Sequence, residues 1–176
     1  LRIVLVTIHV SLQQVPSLIR EDEVLKIIRL THRWLCRFVT ETPRIAVTGL
    51  NPHCGDEGIF GVEEAESIIP AVRQAQTEGI QACGPYPADS LFGRMPEKAY
   101  DAVVAMYHDQ GLIPVKMLSR GSAVNLTLGL PIIRTSVDHG TAYDIADRGI
   151  ASPASLVEAL RVAAALSKSD AAAAAI

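Results

Sequence analysis

Three of the five histidines stand where an apolar run gives way to a loop. His9 follows Thr7-Ile8, His53 lies in Gly49-Leu50-Asn51-Pro52-His53-Cys54-Gly55-Asp56, and His108 in Met106-Tyr107-His108-Asp109-Gln110-Gly111. Imidazole is the commonest side-chain ligand for a transition metal, and three imidazoles with coordination positions left open make a catalytic rather than a closed structural site. Such a cation polarises a substrate oxygen and lowers the pKa of a bound hydroxyl. Separations of 44 and 55 residues match no local metal motif, so spacing alone leaves convergence open. A single His at a strand end is more often a surface or hydrogen-bonded residue, and His32, on the polar side of a helical stretch, reads as solvated. Asp109, the neighbouring carboxylate, could orient the His108 ring, a supporting role in catalysis, although adjacent residues often point apart. Cys36, Cys54 and Cys83 are odd in number and widely separated. They suggest neither a disulfide framework nor a paired zinc motif, but reduced thiols, two of them packed. Cys54 is expected not to share the ligand role of its neighbour His53.

A second group lies between residues 114 and 134. Lys116, Arg120, Asn125 and Arg134 are spread through apolar turns with Gly121 and Gly129, a mixture suited to gripping a phosphate or carboxylate; solvated surface charges are the plainer alternative. Arg134 carries most weight, because the apolar run Pro131-Ile132-Ile133 would not end in a cation without a partner. A third group is Asp138-His139-Gly140-Thr141-Ala142-Tyr143-Asp144-Ile145-Ala146, whose short polar residues could present donors to a nucleotide, or merely open a helix. Gly55, Gly58 and Gly61 do not form a phosphate loop: the G-x-G start is missing, and Asp56 and Glu57 would repel phosphate.

These groups need a frame to hold them. Strands are expected at 2–8, 44–49, 80–83, 102–106 and 132–135, and helices at 21–40, 63–78 and 153–168. The first helix would turn Val24, Ile27, Ile28, Thr31, Trp34, Leu35 and Phe38 to one face, the second has three acidic residues in its first turn, and Ser152-Pro153 opens the third. Alternating strands and helices imply an α/β fold with a mostly parallel sheet, in which ligands gather at the carboxyl ends of the strands. The three histidines fall at such ends.

A chain of 176 residues with 49% hydrophobic and 20% charged residues can close one packed core. A net charge of −3 and no basic run set nucleic acid aside, and no apolar stretch reaches the roughly 20 residues of a membrane span. The start Leu1-Arg2-Ile3-Val4-Leu5-Val6 lacks a signal-peptide pattern and reads as the inside of a domain, so a cytoplasmic protein whose amino-terminal part is missing is expected. The Ala171 to Ala175 tail reads as a frayed helix end or a stretch of uncertain identity.

The Gly49 to His53 loop, the Gly84-Pro85-Tyr86-Pro87-Ala88-Asp89 turn, Ala105 to Gly111, Asn125-Leu126-Thr127-Leu128-Gly129-Leu130-Pro131 and Arg134 to Ala142 resemble, in order and spacing, the 4-hydroxythreonine-4-phosphate dehydrogenase family, over about residues 1 to 166. The resemblance implies a three-layer α/β/α fold of the isocitrate/isopropylmalate dehydrogenase kind. Residues 1–133 would form the metal- and substrate-binding domain, and residues 134–176 would return to a largely missing one. It implies a homodimer with a shared divalent cation (Zn, Mg, Mn or Co), held by His9 and His53 of one subunit and His108 of the other. Lys116, Asn125 and Arg134 would bind a small phosphorylated substrate, with Lys116 aiding proton transfer or holding anionic oxygen. The adenine loop H-G-S-A-x-D-I-A of the wider fold looks like His139-Gly140-Thr141-Ala142-Tyr143-Asp144-Ile145-Ala146, which implies an NAD or NADP site through His139, Gly140, Thr141, Ala142 and Asp144. The implied reaction oxidises a secondary alcohol, most simply that of 4-phosphooxy-L-threonine, and the β-keto acid then decarboxylates. Gly121-Ser122-Ala123-Val124 and Tyr143 to Asp147 also lean towards relatives acting on erythronate 4-phosphate or aromatic dihydrodiol carboxylates. With the amino-terminal half absent, the chain alone is expected to be inactive. A metal-dependent hydrolase without nucleotide and an inactive binding module remain the alternatives of other classes.

Overall fold

A computed structural model describes residues 1–94 and 100–174, with side chains as far as residue 169. It divides into two compact units, Leu1–Val115 and Lys116–Ile176.

The first unit is built on four parallel strands, β1 (Ile3–Leu5), β2 (Arg44–Thr48), β3 (Gln81–Tyr86) and β4 (Ala102–Ala105), in the order β1-β4-β2-β3. The two central strands are buried on both faces: Ile45 to Thr48 and all of Ala102 to Ala105 are inaccessible. This is why both read as continuous apolar runs instead of alternating ones. Ile45, Val47, Ala102 and Val104 face one layer of helices, α2 (Glu21–Phe38) and α3 (Ile69–Thr77). Ala46 and Val103 face the other way, against Leu91 of α4 (Ala88–Gly93) and Tyr100. On that second face α5 (His108–Ser119) approaches β1 and β4 so closely that a Cβ on Gly111 would lie 2.6 Å from Leu5 and 2.8 Å from Ile3. The expected three layers are present.

α2 begins with Glu21, Asp22 and Glu23, which favour the positive end of its dipole, and buries Val24, Leu25, Ile28, Thr31 and Leu35. The short helix α1 (Val15–Leu18) leads into it. The helix expected at 63–78 opens instead with a π-helical turn, Glu64–Ile68, before α3. Pro70 explains this: it has no N–H to close the usual bond, so the ladder widens ahead of it. α5 was not expected, because Gly111 and Pro114 inside it read as loop residues. Pro114 sits in the helix all the same. The strand expected at 2–8 is only Ile3–Leu5; Val6 and Thr7 still bond to the end of the β4 run, and the chain turns away into the loop of His9 after them.

The second unit pairs β5 (Val124–Thr127) with β6 (Arg134–Val137) in an antiparallel hairpin. β5 was missed, and the strand expected at 132–135 lies two residues later. Residues 128–133, Leu-Gly-Leu-Pro-Ile-Ile, form the connection despite their apolar character, because Gly129 and Pro131 suit a turn better than a ladder. Helix α6 (Ala154–Ala174) covers one face of the hairpin, where Thr135 Oγ1 donates to the Ala159 carbonyl at 3.0 Å and Ser155 Oγ to the Ala123 carbonyl at 2.9 Å. The tail thus continues α6 as far as Ala174, and residues 175 and 176 lie outside the described residues.

Candidate functional site

The carboxyl ends of β1, β2 and β4 carry the three histidines, and one small hydrogen-bond network ties these ends together. β1 runs on into Val6 and Thr7, whose amides donate to the carbonyls of Ala105 and Met106; Thr7 Oγ1 donates to the same Met106 carbonyl at 2.8 Å. Thr7 is buried, so His9, two residues on, leaves the sheet from a fixed point. His108 opens α5 directly after β4.

The rings of His9 and His108 come together in one chain, 5.6 Å between centroids. They border an open hollow of about 540 Å³ whose wall also includes Val10, Tyr107, Asp109 and Ile113. Asp109 Oδ1 lies 2.7 Å from Nδ1 of His108. A carboxylate on Nδ1 favours a proton there and leaves Nε2 as a lone-pair donor, which is how metal-binding imidazoles are commonly oriented.

His53 is held by unusual backbone. Residues His53 to Glu57 all have positive φ (53, 55, 82, 43 and 56°), a full left-handed turn in which only Gly55 is free of strain. For the other four this costs on the order of 1 kcal/mol or more each. A buried carboxylate holds the backbone that enters this turn: Glu64, 2% exposed, accepts from the Leu50 and Asn51 amides at 2.7 Å and from Asn51 Nδ2 at 2.9 Å. Gly55 is enclosed, with the Gly61 carbonyl 2.8 Å from where a Cβ would be. The loop presents an exposed His53 whose ring packs on Phe60, centroids 6.2 Å apart. Cys54 turns inward toward Gly49, and burial, with the Glu64 charge adding to it, pushes its thiol up. A neutral inward thiol is a poor ligand.

One chain brings the His9 and His108 rings together and presents His53 from a separate, tightly held loop. Among the described residues no three His, Cys, Asp or Glu side chains lie close enough together to hold a metal ion. The donor set nonetheless suits one: two adjoining imidazoles at an open hollow, one already oriented by a carboxylate.

In the second unit Lys116 Nζ donates to Asp138, to Oδ2 at 3.1 Å and to the carbonyl at 3.2 Å. The pairing register places Asn125 opposite Ser136 and Thr127 opposite Arg134. Because side chains alternate along a strand, Asn125, Thr127, Arg134 and Ser136 share one face of the hairpin, while Thr135 of the other face reaches α6. Arg134 and Asn125 are exposed there; Arg134 Nη1 donates to Thr127 Oγ1 at 2.8 Å, the partner its place after an apolar run called for. His139, Gly140, Thr141, Ala142 and Asp144 form an exposed segment. Ala142 is left-handed at φ 48°, ahead of a 3-10 turn over Tyr143–Ile145, and Gly140 borders open space.

Sequence reasoning missed Glu64 and Gln110, and it did not pair Asp138 with Lys116. Glu64 passed as one of three first-turn acids, solvated at a helix start. The signal it gave was its distance, thirteen residues, from an Asn-Pro turn full of amides needing acceptors. Gln110 stood in view in the His108 motif, its role hidden because an amide carries no chemistry of its own.

The model of the family described as pyridoxal phosphate biosynthetic protein PdxA matches residues 1–163. A 4-hydroxythreonine-4-phosphate dehydrogenase of Geobacter metallireducens is 58% identical over 168 residues, covering 96% of this chain and 50% of that protein. A crystal structure of the enzyme of that name from Klebsiella pneumoniae superposes with a TM-score of 0.86 at 43% identity, over 93% of this chain and 50% of the other. An isocitrate dehydrogenase from Methylococcus capsulatus, at 18% identity and a TM-score of 0.59 over 82% of this chain and 42% of that one, shows the shared fold alone. The chain spans about half the length of the relatives it matches.

Proposed function

The chain belongs to the family of pyridoxal phosphate biosynthetic protein PdxA, and from that premise we propose that it is the metal-holding part of a dimeric, NAD-dependent dehydrogenase acting on 4-phosphooxy-L-threonine. The observation that carries the proposal is the His9–His108 pair beside the Asp109 carboxylate at an open hollow. The family resemblance builds the ligand set across a dimer interface, from His9 and His53 of one subunit and His108 of the partner subunit; the cis approach of His9 and His108 at the open hollow puts both ligand positions at one surface that a second copy can meet. The hollow's rim includes Ile8, Val10, Leu12 and Ile113, all exposed, as a face covered by a second copy would be.

The bound cation and NAD or NADP would supply Lewis-acid polarisation of the alcohol and a hydride acceptor. The chain's own residues do the rest. Asp109 holds the His108 ring in one tautomer. Lys116, anchored by Asp138, holds a proton at Nζ that it can give to or take from a substrate oxygen. With one Arg134 N–H given to Thr127, Arg134 and Asn125 offer up to six N–H donors from one face of a two-stranded ribbon, and Arg134's planar fork is matched to a phosphate or carboxylate. The exposed turn from His139 to Asp144 would lie along the nucleotide. The product β-keto acid needs no further group from the protein to lose carbon dioxide. No helix among the described residues is long and apolar enough to cross a membrane; a cytoplasmic setting is part of the same reading, carried by three unpaired thiols.

The test is NAD reduction by the full-length protein with 4-phosphooxy-L-threonine, erythronate 4-phosphate and an aromatic dihydrodiol carboxylate in parallel. The first substrate should be turned over fastest. Turnover of the other two alone would move the assignment within the family, and no NAD protection against thermal unfolding would favour the hydrolase reading.

A further inference from the structure

Gln110 makes three hydrogen bonds that meet where the histidine-bearing strand ends converge. Its Oε1 accepts from the Met106 amide at 2.7 Å and from Thr48 Oγ1 at 2.8 Å, and its Nε2 donates to the Gly49 carbonyl at 2.7 Å. The partners fix which end is which, since a backbone amide needs an acceptor and a carbonyl needs a donor. Met106 ends the β4 run, and its carbonyl receives Thr7, from which the His9 loop departs. Thr48 and Gly49 end β2, from which the His53 loop departs. Gln110 itself lies two residues past His108 on the first turn of α5. One amide side chain thus touches, directly or through the one residue Met106, the backbone that leads to each of the three imidazoles.

We infer that Gln110 is a positioning residue for the candidate metal site: it sets the spacing of the three loops that carry His9, His53 and His108. The inference rests on the proposed function, but it concerns how the ligands are held, not what is turned over. Apolar packing could hold the strands together; it could not fix three loop origins against one another, because it has no direction, whereas three hydrogen bonds from one planar group do. Removing a group bonded directly to a ligating imidazole weakens metal binding by about tenfold to a hundredfold, and a group that holds three ligand-bearing loops at once is expected to matter on the lower side of that scale.

The test is titration of the full-length protein with Co²⁺, reading both affinity and the visible absorption bands that report coordination geometry. Gln110→Leu removes all three bonds, and Gln110→Glu keeps the shape and the acceptor while losing the donor to Gly49. Both should bind Co²⁺ at least tenfold more weakly, with altered band intensity. Thr31→Val, which removes the bond from Thr31 Oγ1 to the Ile27 carbonyl on α2, controls for lost stability: it should lower Tm and leave Co²⁺ affinity unchanged. Should Gln110→Leu not fold, the isosteric Gln110→Glu carries the comparison. Wild-type affinity and spectrum in a folded Gln110 variant would overturn the inference and leave the function standing. A wild-type protein that binds no cation would bring down the function, and this inference with it.

Discussion

At the scale of single residues, the chemistry rests on groups whose neighbours already commit them to a role. His108 is the clearest case, its Nδ1 engaged by Asp109 at 2.7 Å. Asp109→Asn should keep the ring in place but loosen its tautomer, weakening divalent-cation affinity about tenfold by equilibrium dialysis; unchanged affinity would mean the contact is incidental. Arg134 is argued from geometry, not from charge alone. It shares the exposed hairpin face with Asn125 and is steadied by Thr127. Arg134→Lys keeps the charge and loses the planar fork, so KM for the phosphorylated substrate should rise about tenfold or more while kcat changes less. An equal fall in kcat with KM constant would place Arg134 at the reacting carbon instead of the anionic end.

At the scale of elements, two contacts make sharp tests. α5 sits against β1 and β4 only because residue 111 has no side chain. Gly111→Ala would push Leu5 and Ile3 aside in a packed layer, costing about 1 to 3 kcal/mol and tilting the helix that begins with His108; urea unfolding would read the loss. On the outer side, Arg29 of α2 grips Glu78 at the end of α3 through two hydrogen bonds. The Arg29 bonds, with help from Gln74, hold the Glu78 carboxyl down to about 2, from an ordinary 4.5. Because the folded value is the lower one, this contribution to stability is complete above pH 4.5 and is lost as pH falls towards 2. The Tm gap between wild type and Glu78→Gln should therefore be open at pH 5 and close on acidification; a gap that widened would reverse the sign. Much of this frame was legible beforehand. The apolar runs of β2 and β4 and the amphipathic face of α2 are local patterns, and local patterns survive folding. α5 was not legible, because Gly111 and Pro114 are poor helix residues whose presence is explained only by what α5 packs against. Nor was β5: Val124-Asn125-Leu126-Thr127 alternates correctly but is too short to stand out without its partner strand.

At the scale of the molecule, the sequence proposes ligands for the site by type and motif but not by arrangement, since distances between residues 9, 53 and 108 are set by how three strand ends are stitched together. The left-handed turn from His53 to Glu57 shows the same point. Nothing in Pro52-His53-Cys54-Gly55-Asp56-Glu57 forecasts five positive φ values, and the backbone that leads into them is held by Glu64, a residue of another element. The chain covers about half the length of its relatives, and its own imidazoles form a pair and a single. Completion of the cation site by a second copy is part of the proposed function. The most direct measurement is the divalent-metal content of the purified full-length protein, wild type against His108→Ala, after dialysis to remove loosely held ions. The account predicts about one tightly held cation per protomer in the wild type and its loss, together with NAD reduction, in the variant. A wild type without metal, or a variant that keeps its cation, would contradict it.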